Sequence, residues 1–433
     1  MSRSRRGATA PDDAREPLGV ADLTMLASDC GPAPTHIGAV LLVDGADDGT
    51  TGVIEAVVDR ARTVPRLVQV LVRTQRRPSW VLDACADPGR HVAARVLLGG
   101  GERAVLDEAA DLVCAPLDQG RPLWSARWLT GWDDTPARRG ALVVTLHHVL
   151  ADGVGGLGLL AALADQGPAG GTPARAAGAP RAAPGTLAWL HGLLELGIGS
   201  RLPVVAARTS VNRATGATRR LHVTRVPLAE FRLGAHRHGG SINDAMVAAV
   251  VGALAGLLGA RGEHPRRLVV SVPVTARLTG DRRPGNDNGI LPLAVPVGLD
   301  RAARVRHVAA ATARRKARPR GRSALPLGAA FRGLAALGWF RWFVEHQRLV
   351  HTFETNVRGP AERLRIAGHE VSALIPVAVS PGNVGASFAV LSYAGELAVT
   401  VVTDPDIVPD DEMLVALLAH ELEALAADEA ARR

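Results

Sequence analysis

His147-His148-Val149-Leu150-Ala151-Asp152-Gly153 sets two imidazoles, a carboxylate and a glycine directly behind the apolar run Ala141 to Leu146. Such a β-branched run reads as a buried strand, so the histidines emerge where the strand ends and catalytic groups can meet solvent. An imidazole, with an ordinary pKa of roughly 6.5, accepts a proton near neutral pH without being charged beforehand. That suits general-base work on an alcohol, with His148 as the base and His147 packing against it or orienting it. Asp152, four residues on, is placed to fix the tautomer or the turn, and Gly153 tolerates backbone angles that a Cβ would forbid.

Three other readings compete. A His-His pair beside a strand can be structural. A metal site needs three or four convergent ligands, yet no second His/Cys/Asp cluster with ligand spacing accompanies this one and His-Glu-x-x-His is absent. Gly153-Val154-Gly155-Gly156-Leu157-Gly158 matches GxGxxG, but a dinucleotide fold requires a second strand ending in an acidic residue about twenty positions later. The chain instead runs into Gln166-Gly167-Pro168 and an Ala/Pro/Gly/Arg tract. The glycines therefore read as a tight turn that lets a helix pack close to the site.

The elements that must hold this constellation alternate along the chain. Strands are expected at Ile37 to Val43, Arg95 to Leu98, Ala141 to Leu146, Leu221 to Val226, Leu268 to Val274 and Leu291 to Val297, and helices at Gly49 to Arg62 and Asn243 to Leu258. This is an α/β pattern in both halves. Residues 166–185, without hydrophobic periodicity, read as an exposed linker between residues 17–165 and 186–433, and residues 1–16 as a disordered tail.

A chain of 433 residues with 47% apolar content can bury two cores and is not a disordered protein. Cys30, Cys85 and Cys114 lack Cys-x-x-Cys spacing and read as reduced, buried thiols of a cytoplasmic protein. The basic start, Arg3 to Arg6, has no apolar stretch of a secretory signal behind it. One tyrosine, Tyr393, and 3% aromatic residues leave any ligand pocket to Ala, Val and Leu.

The net charge of +8 is densest at Arg304, Arg306, Arg314, Arg315, Lys316, Arg318, Arg320 and Arg322. No nucleic-acid module or interleaved aromatics accompany the cluster, which argues against a nucleic-acid face. A solvated helix face, a contact with ligand phosphates and attraction to an anionic membrane all stay open. Ala324 to Val350 follows, apolar with Trp339, Phe340, Trp342 and Phe343 but broken by Arg332 and Arg341. It makes a poor transmembrane helix. An interfacial helix and one packed on the second domain are both compatible with it.

The heptapeptide resembles the HHxxxDG motif of CoA-dependent acyltransferases, and further segments resemble the bacterial wax ester synthase/diacylglycerol acyltransferase family from about Leu18 to Leu425. They are Ser28-Asp29 with Pro34-Thr35-His36-Ile37-Gly38, Pro116 to Trp124, Ser241-Ile242-Asn243-Asp244, Gly285 to Gly289 with Pro292 to Gly298, Thr355 to Pro360, and Ser392 to Gly395. Cys30-Gly31-Pro32-Ala33 departs from the aromatic residues usual in the family after the N-terminal aspartate, which bears on acyl or alcohol preference.

The resemblance implies two chloramphenicol-acetyltransferase-like domains forming a pseudo-dimer, with a central tunnel and the histidines near its middle. It implies acyl transfer from acyl-CoA as co-substrate, with no bound cofactor or metal, to a long-chain alcohol or diacylglycerol. The catalytic set would be His148, Asp152, His147 and Gly153, with Asn243, Asp244 and Gly155 at the substrate or oxyanion. A cytoplasmic protein, docking peripherally at a membrane or lipid droplet, fits such substrates. Relatives of the superfamily leave two alternatives. One is a tailoring or condensation-type enzyme acting on a natural-product hydroxyl or amine, with an acylated carrier protein as donor; the other is an inactive lipid-binding relative.

Overall fold

The computed structural model describes residues 15–46, 50–73, 77–136, 138–165, 205–275, 288–316, 333–379 and 382–427. The expected linker over 166–185 and nearly all of the expected N-terminal tail lie outside them. The first half runs β1 (Arg15–Pro17), α1 (Val20–Ser28), β2 (His36–Val43), α2 (Thr50–Thr63), β3 (Gln69–Val72), β4 (Ser79–Leu82), β5 (Val92–Val96), α3 (Gly101–Cys114), β6 (Trp124–Thr130), β7 (Gly140–His147) and α4 (Gly153–Leu163). The second runs β8 (Arg220–Pro227), α5 (Leu228–Arg237), α6 (Ile242–Ala260), β9 (Arg267–Thr275), β10 (Asn288–Pro296), α7 (Arg301–Lys316), α8 (Phe340–His346), β11 (Thr352–Arg358), β12 (Arg365–Ile366), β13 (His369–Ala378), β14 (Ala386–Tyr393), β15 (Glu396–Thr403) and α9 (Asp411–Ala427).

Two six-stranded mixed sheets result, in the orders β12-β13-β2-β7-β6-β5 and β10-β9-β11-β14-β15-β8, with a small sheet β1-β4-β3. The protein is α/β in both halves. β7 is buried along its whole length because both of its faces are covered. Leu142, Val144 and Leu146 join a core with α2 and α4, while Ala141 and Val143 join another with α3 and with Leu221 and Val402 of the second sheet. That explains the continuous apolar run in place of polar alternation.

The chain crosses between the sheets three times, first from β7 to β8. After β11 in the second sheet it enters the first, where β13 pairs with β2, and then returns as β14 beside β11. The sheet that carries the histidines is thus completed by residues from beyond the 166–185 segment. Tyr393 fastens the crossing: its hydroxyl accepts from the Leu364 N–H at 2.7 Å and donates to the Val371 carbonyl at 2.8 Å.

In the second half, α6 is apolar on every side beyond its first turn and mostly buried, as such a helix must be. Among the described residues it is the one helix long and apolar enough to cross a membrane, yet it forms the centre of a core with β9, β14, β15 and α9.

Several details depart from the sequence reading. Arg15 and Glu16 pair with Val81 and Trp80, so the last two residues of the expected tail form a strand. β5 ends at Val96, because the chain turns through Gly99, Gly100 and Gly101 at positive φ and leaves Leu98 fully exposed. Cys85 is exposed, while Cys30 and Cys114 are half-buried. Arg304 is buried, its guanidinium donating to Glu421 of α9 at 2.7 Å beside Arg301, so it belongs to a helix-helix contact and not to an open basic face. Within 324–350 the described helical residues are 333–336 and the seven of α8, with Gly338 at φ 72° between them.

Candidate active site

The register of β2 against β7 places His36 directly opposite His147, and His148 follows as the chain leaves the sheet. The His148 N–H donates to the Thr35 carbonyl at 3.0 Å, and the Leu150 N–H closes a turn on the His147 carbonyl at 2.9 Å. Val149, Leu150 and Ala151 are completely buried, so the turn is anchored by apolar packing. His148 itself is half-buried.

His147 is fixed at both ring nitrogens. Its Nδ1 accepts from the Val149 N–H at 3.1 Å, which requires the proton on Nε2, and Nε2–H donates to Asp29 Oδ2 at 2.9 Å. The other carboxylate oxygen, Oδ1, accepts from the Thr35 N–H at 2.9 Å. Burial pushes the Asp29 carboxyl up, but the bonds from His147 and Thr35 outweigh it and hold the pKa below the ordinary value. The His36 ring lies edge-on to His147, centroids 5.5 Å apart, and donates Nδ1–H to the Val113 carbonyl at 2.9 Å. Burial first, then His147, pushes its pKa down to about 4, so His36 is neutral at physiological pH.

Asp152 is the N-cap of α4. Its side chain, wholly buried, accepts from the Gly155 N–H at 2.8 Å, satisfying one of the free amides of the first turn. The Gly155 N–H is thereby committed to the cap. Gly153, Gly155 and Gly156 belong to the first turn of a helix and not to a tight turn before it. A Cβ on Gly156 would lie 3.0 Å from Ile37 Cδ1, which accounts for a residue without one.

Asn243 and Asp244 open α6 in the second half. Asp244 forms a capping box with Ser241, its Oδ2 accepting from Ser241 N–H at 2.9 Å and from the hydroxyl at 2.6 Å. Its charge acts on Glu354 of β11. Asn243 stands half-buried one residue earlier. The described contact between the two halves at the motif is α4 against β11, so His148 sits close to their seam.

In the sequence Asp29, Thr35 and His36 stand out only as parts of a family-like segment, with no chemical role. The alternation of β2 marks His36 as lying on one face, but only the register with β7 brings it to His147. Among the described residues no three His, Cys, Asp or Glu side chains gather as metal ligands would.

Residues 18–198 match the family model of the wax ester synthase/diacylglycerol acyltransferase catalytic domain, and residues 285–426 that of the WS/DGAT C-terminal domain. A probable diacylglycerol O-acyltransferase of Mycobacterium tuberculosis is 29% identical over 415 residues, 86% of this chain and 87% of that protein. A putative diacylglycerol O-acyltransferase from another strain of that species is 30% identical over 362 residues, 70% of each chain. In fold, the chain is similar to the wax ester synthase/diacylglycerol acyltransferase of Marinobacter aquaeolei VT8, with a TM-score of 0.71 and 22% identity over 95% of this chain and 99% of that one. It is also similar to the first condensation domain of the CDA synthetase, with a TM-score of 0.63 and 18% identity over 96% and 97%. With both family domains matched in order, and with the histidine turn folded at the end of β7, the chain is an acyltransferase and belongs to the wax ester synthase/diacylglycerol acyltransferase family.

Proposed function

We infer that this enzyme moves an acyl group from acyl-CoA to the hydroxyl of a long-chain alcohol or diacylglycerol, giving a wax ester or triacylglycerol and free CoA. The observation that carries the reading is the placement of His148 at the end of β7, on an apolar-anchored turn beside the seam where α4 meets β11. His148 takes the hydroxyl proton as oxygen attacks the thioester carbonyl, and the tetrahedral intermediate collapses by expelling the CoA thiolate. The imidazolium then returns its proton to that sulfur. Holding both substrates at one base makes the attack effectively unimolecular.

His147 orients the turn, Asp152 and Gly153 hold it to α4, and the Asn243 amide is the donor suggested for the oxyanion, with Asp244 fixing the helix end from which it projects. No acyl-enzyme is needed. Burial pushes the Cys30 and Cys114 thiols above their ordinary pKa, the wrong direction for a nucleophile. Substrates of this kind partition into lipid, and Trp339 and Trp342, 64% and 62% exposed beside Leu337, supply an apolar face for reversible docking of a cytoplasmic enzyme at an anionic membrane.

The test is mass spectrometry of products from purified protein given a panel of acyl-CoAs with long-chain alcohols, diacylglycerol and smaller hydroxylated acceptors. Ester and free CoA are expected in equal amounts, with no acyl adduct on the intact protein. A product formed only from an acylated carrier protein, or only on a small natural-product acceptor, would overturn the lipid reading.

A further inference from the structure

We propose that Asp29 is the positioning residue of the acyl-transfer site, holding His148 in place through Thr35 on one side and His147 on the other; this rests on His148 being the base. One carboxylate serves two directions. Its Oδ1 takes the Thr35 N–H, and the Thr35 carbonyl in turn takes the His148 N–H. Its Oδ2 takes the His147 Nε2–H, and the far side of that ring takes the Val149 N–H. The residues immediately before and after the base are therefore tied into one closed network that begins and ends at Asp29.

Each bond in this network has a fixed direction. Two backbone N–H groups, of Thr35 and Val149, cannot act as acceptors, so His147 must accept at Nδ1 and donate at Nε2, and Asp29 must accept at both oxygens. Only an ionised carboxylate of this length meets that demand. His36 closes the remaining side with a ring edge against His147 while its own Nδ1–H is held by Val113. His147 is 1% exposed, so its ring has no water to turn to if the Asp29 bond is lost. Asp29 touches neither His148 nor the reacting atoms in this account. It acts through the main chain and through its neighbour.

Asp29→Asn is the discriminating variant because it is nearly isosteric and fails in a defined way. The amide presents one acceptor and one donor: in either orientation its NH2 faces the N–H of Thr35 or of His147, donor against donor. Displacement of the turn is expected to lower kcat by about 10- to 100-fold, with KM for acyl-CoA and for the alcohol changed by less than about threefold, the split that marks loss of transition-state positioning.

The same substitution in a His148→Ala background is expected to cause no further loss, since Asp29 has then nothing to position. A measurement on the wild-type protein stands independently of whether the variant folds: the ¹⁵N shifts of labelled neutral His147 should report the Nε2–H tautomer. Wild-type kcat in a folded Asp29→Asn protein, a raised KM with unchanged kcat, an equal loss in the His148→Ala background, or an Nδ1–H tautomer for His147 would each overturn the proposal. If His148→Ala alone retained wild-type turnover, the assignment of the base would fall, an outcome separate from all of these.

Discussion

Gly153 packs so closely against Val357 that a Cβ on the glycine would stand 2.9 Å from Val357 Cγ2. The first belongs to α4 behind the histidine turn, the second to β11 in the other sheet, so the helix capped by Asp152 is wedged into the seam between the two halves. Val is stiff at χ1 and cannot swing away freely, so relief must come from movement of α4 or of the strand.

Gly153→Ala is accordingly expected to shift the turn and lower kcat by about 10-fold or more, since a displacement near 1 Å costs on that order or beyond. Thermal stability should change little beside it. Pairing it with Val357→Ala removes the obstructing methyls and should restore most of the activity. Initial rates and melting curves of the two single variants and the double variant test this, and an inert Gly153→Ala would mean that the seam does not constrain the site.

His148→Ala and Asp152→Ala separate chemistry from scaffolding. Removal of a positioned general base should lower turnover by roughly 10²- to 10⁴-fold while leaving the melting temperature near that of the wild type. Asp152→Ala deletes an N-cap in a fully buried place and should cost about 1–2 kcal/mol of stability, with activity falling as the first turn of α4 loosens. Asp152→Asn keeps one acceptor for the Gly155 N–H and should fall between. Denaturation and kinetics on the same preparations decide it: lost activity at unchanged stability in Asp152→Ala would give Asp152 a direct part in the reaction.

The strand, the turn and the presence of a helix around His148 were legible from the sequence because each is specified locally, by the apolar run, the His-His pair and the following Asp-Gly; that Asp152 caps α4 and that the glycines lie within its first turn was not. What stayed hidden is non-local. Nothing within Asp29 to Gly38 says that its aspartate meets an imidazole more than a hundred residues later, and β13 carries no mark showing that it leaves its neighbours β11 and β14 to complete the other sheet. Arg304 departs from its sequence pattern for the same reason. In composition it looks like one more charge of a basic run, and only the packing of α7 on α9 turns it toward Glu421. Tyr393 stood out as the lone tyrosine, yet its use as a fastener depends on β13 being where it is.

Tyr393→Phe tests that fastener. The phenyl ring fills the same space, but the buried Leu364 N–H loses its acceptor and the Val371 carbonyl its donor. An unsatisfied buried group of this kind costs about 1–3 kcal/mol. A urea denaturation midpoint lowered to match, with kcat per folded molecule retained, is the expected outcome; an unaltered midpoint would show that the crossing is held by apolar packing alone.

Glu354 gives the protein a pH dependence of unusual sign. It lies at the centre of the second sheet, fully buried, and neither carboxyl oxygen has a hydrogen-bond partner among the described residues. Burial, and next the charge of Asp244, push its pKa from the ordinary 4.5 up to about 8. The folded state therefore binds this proton more tightly than the unfolded chain does. Its contribution to stability is complete below about pH 4.5 and is lost as pH rises toward about 8, opposite to the behaviour of a salt-bridged carboxylate. Glu354→Gln removes the titration and supplies an amide donor beside Asp244, whose Oδ1 is also buried without a partner among the described residues. The difference in melting temperature, variant minus wild type, should thus grow in the variant's favour from pH 5 to pH 8.5. A difference that stays constant over that range would mean that Glu354 does not change its protonation on unfolding.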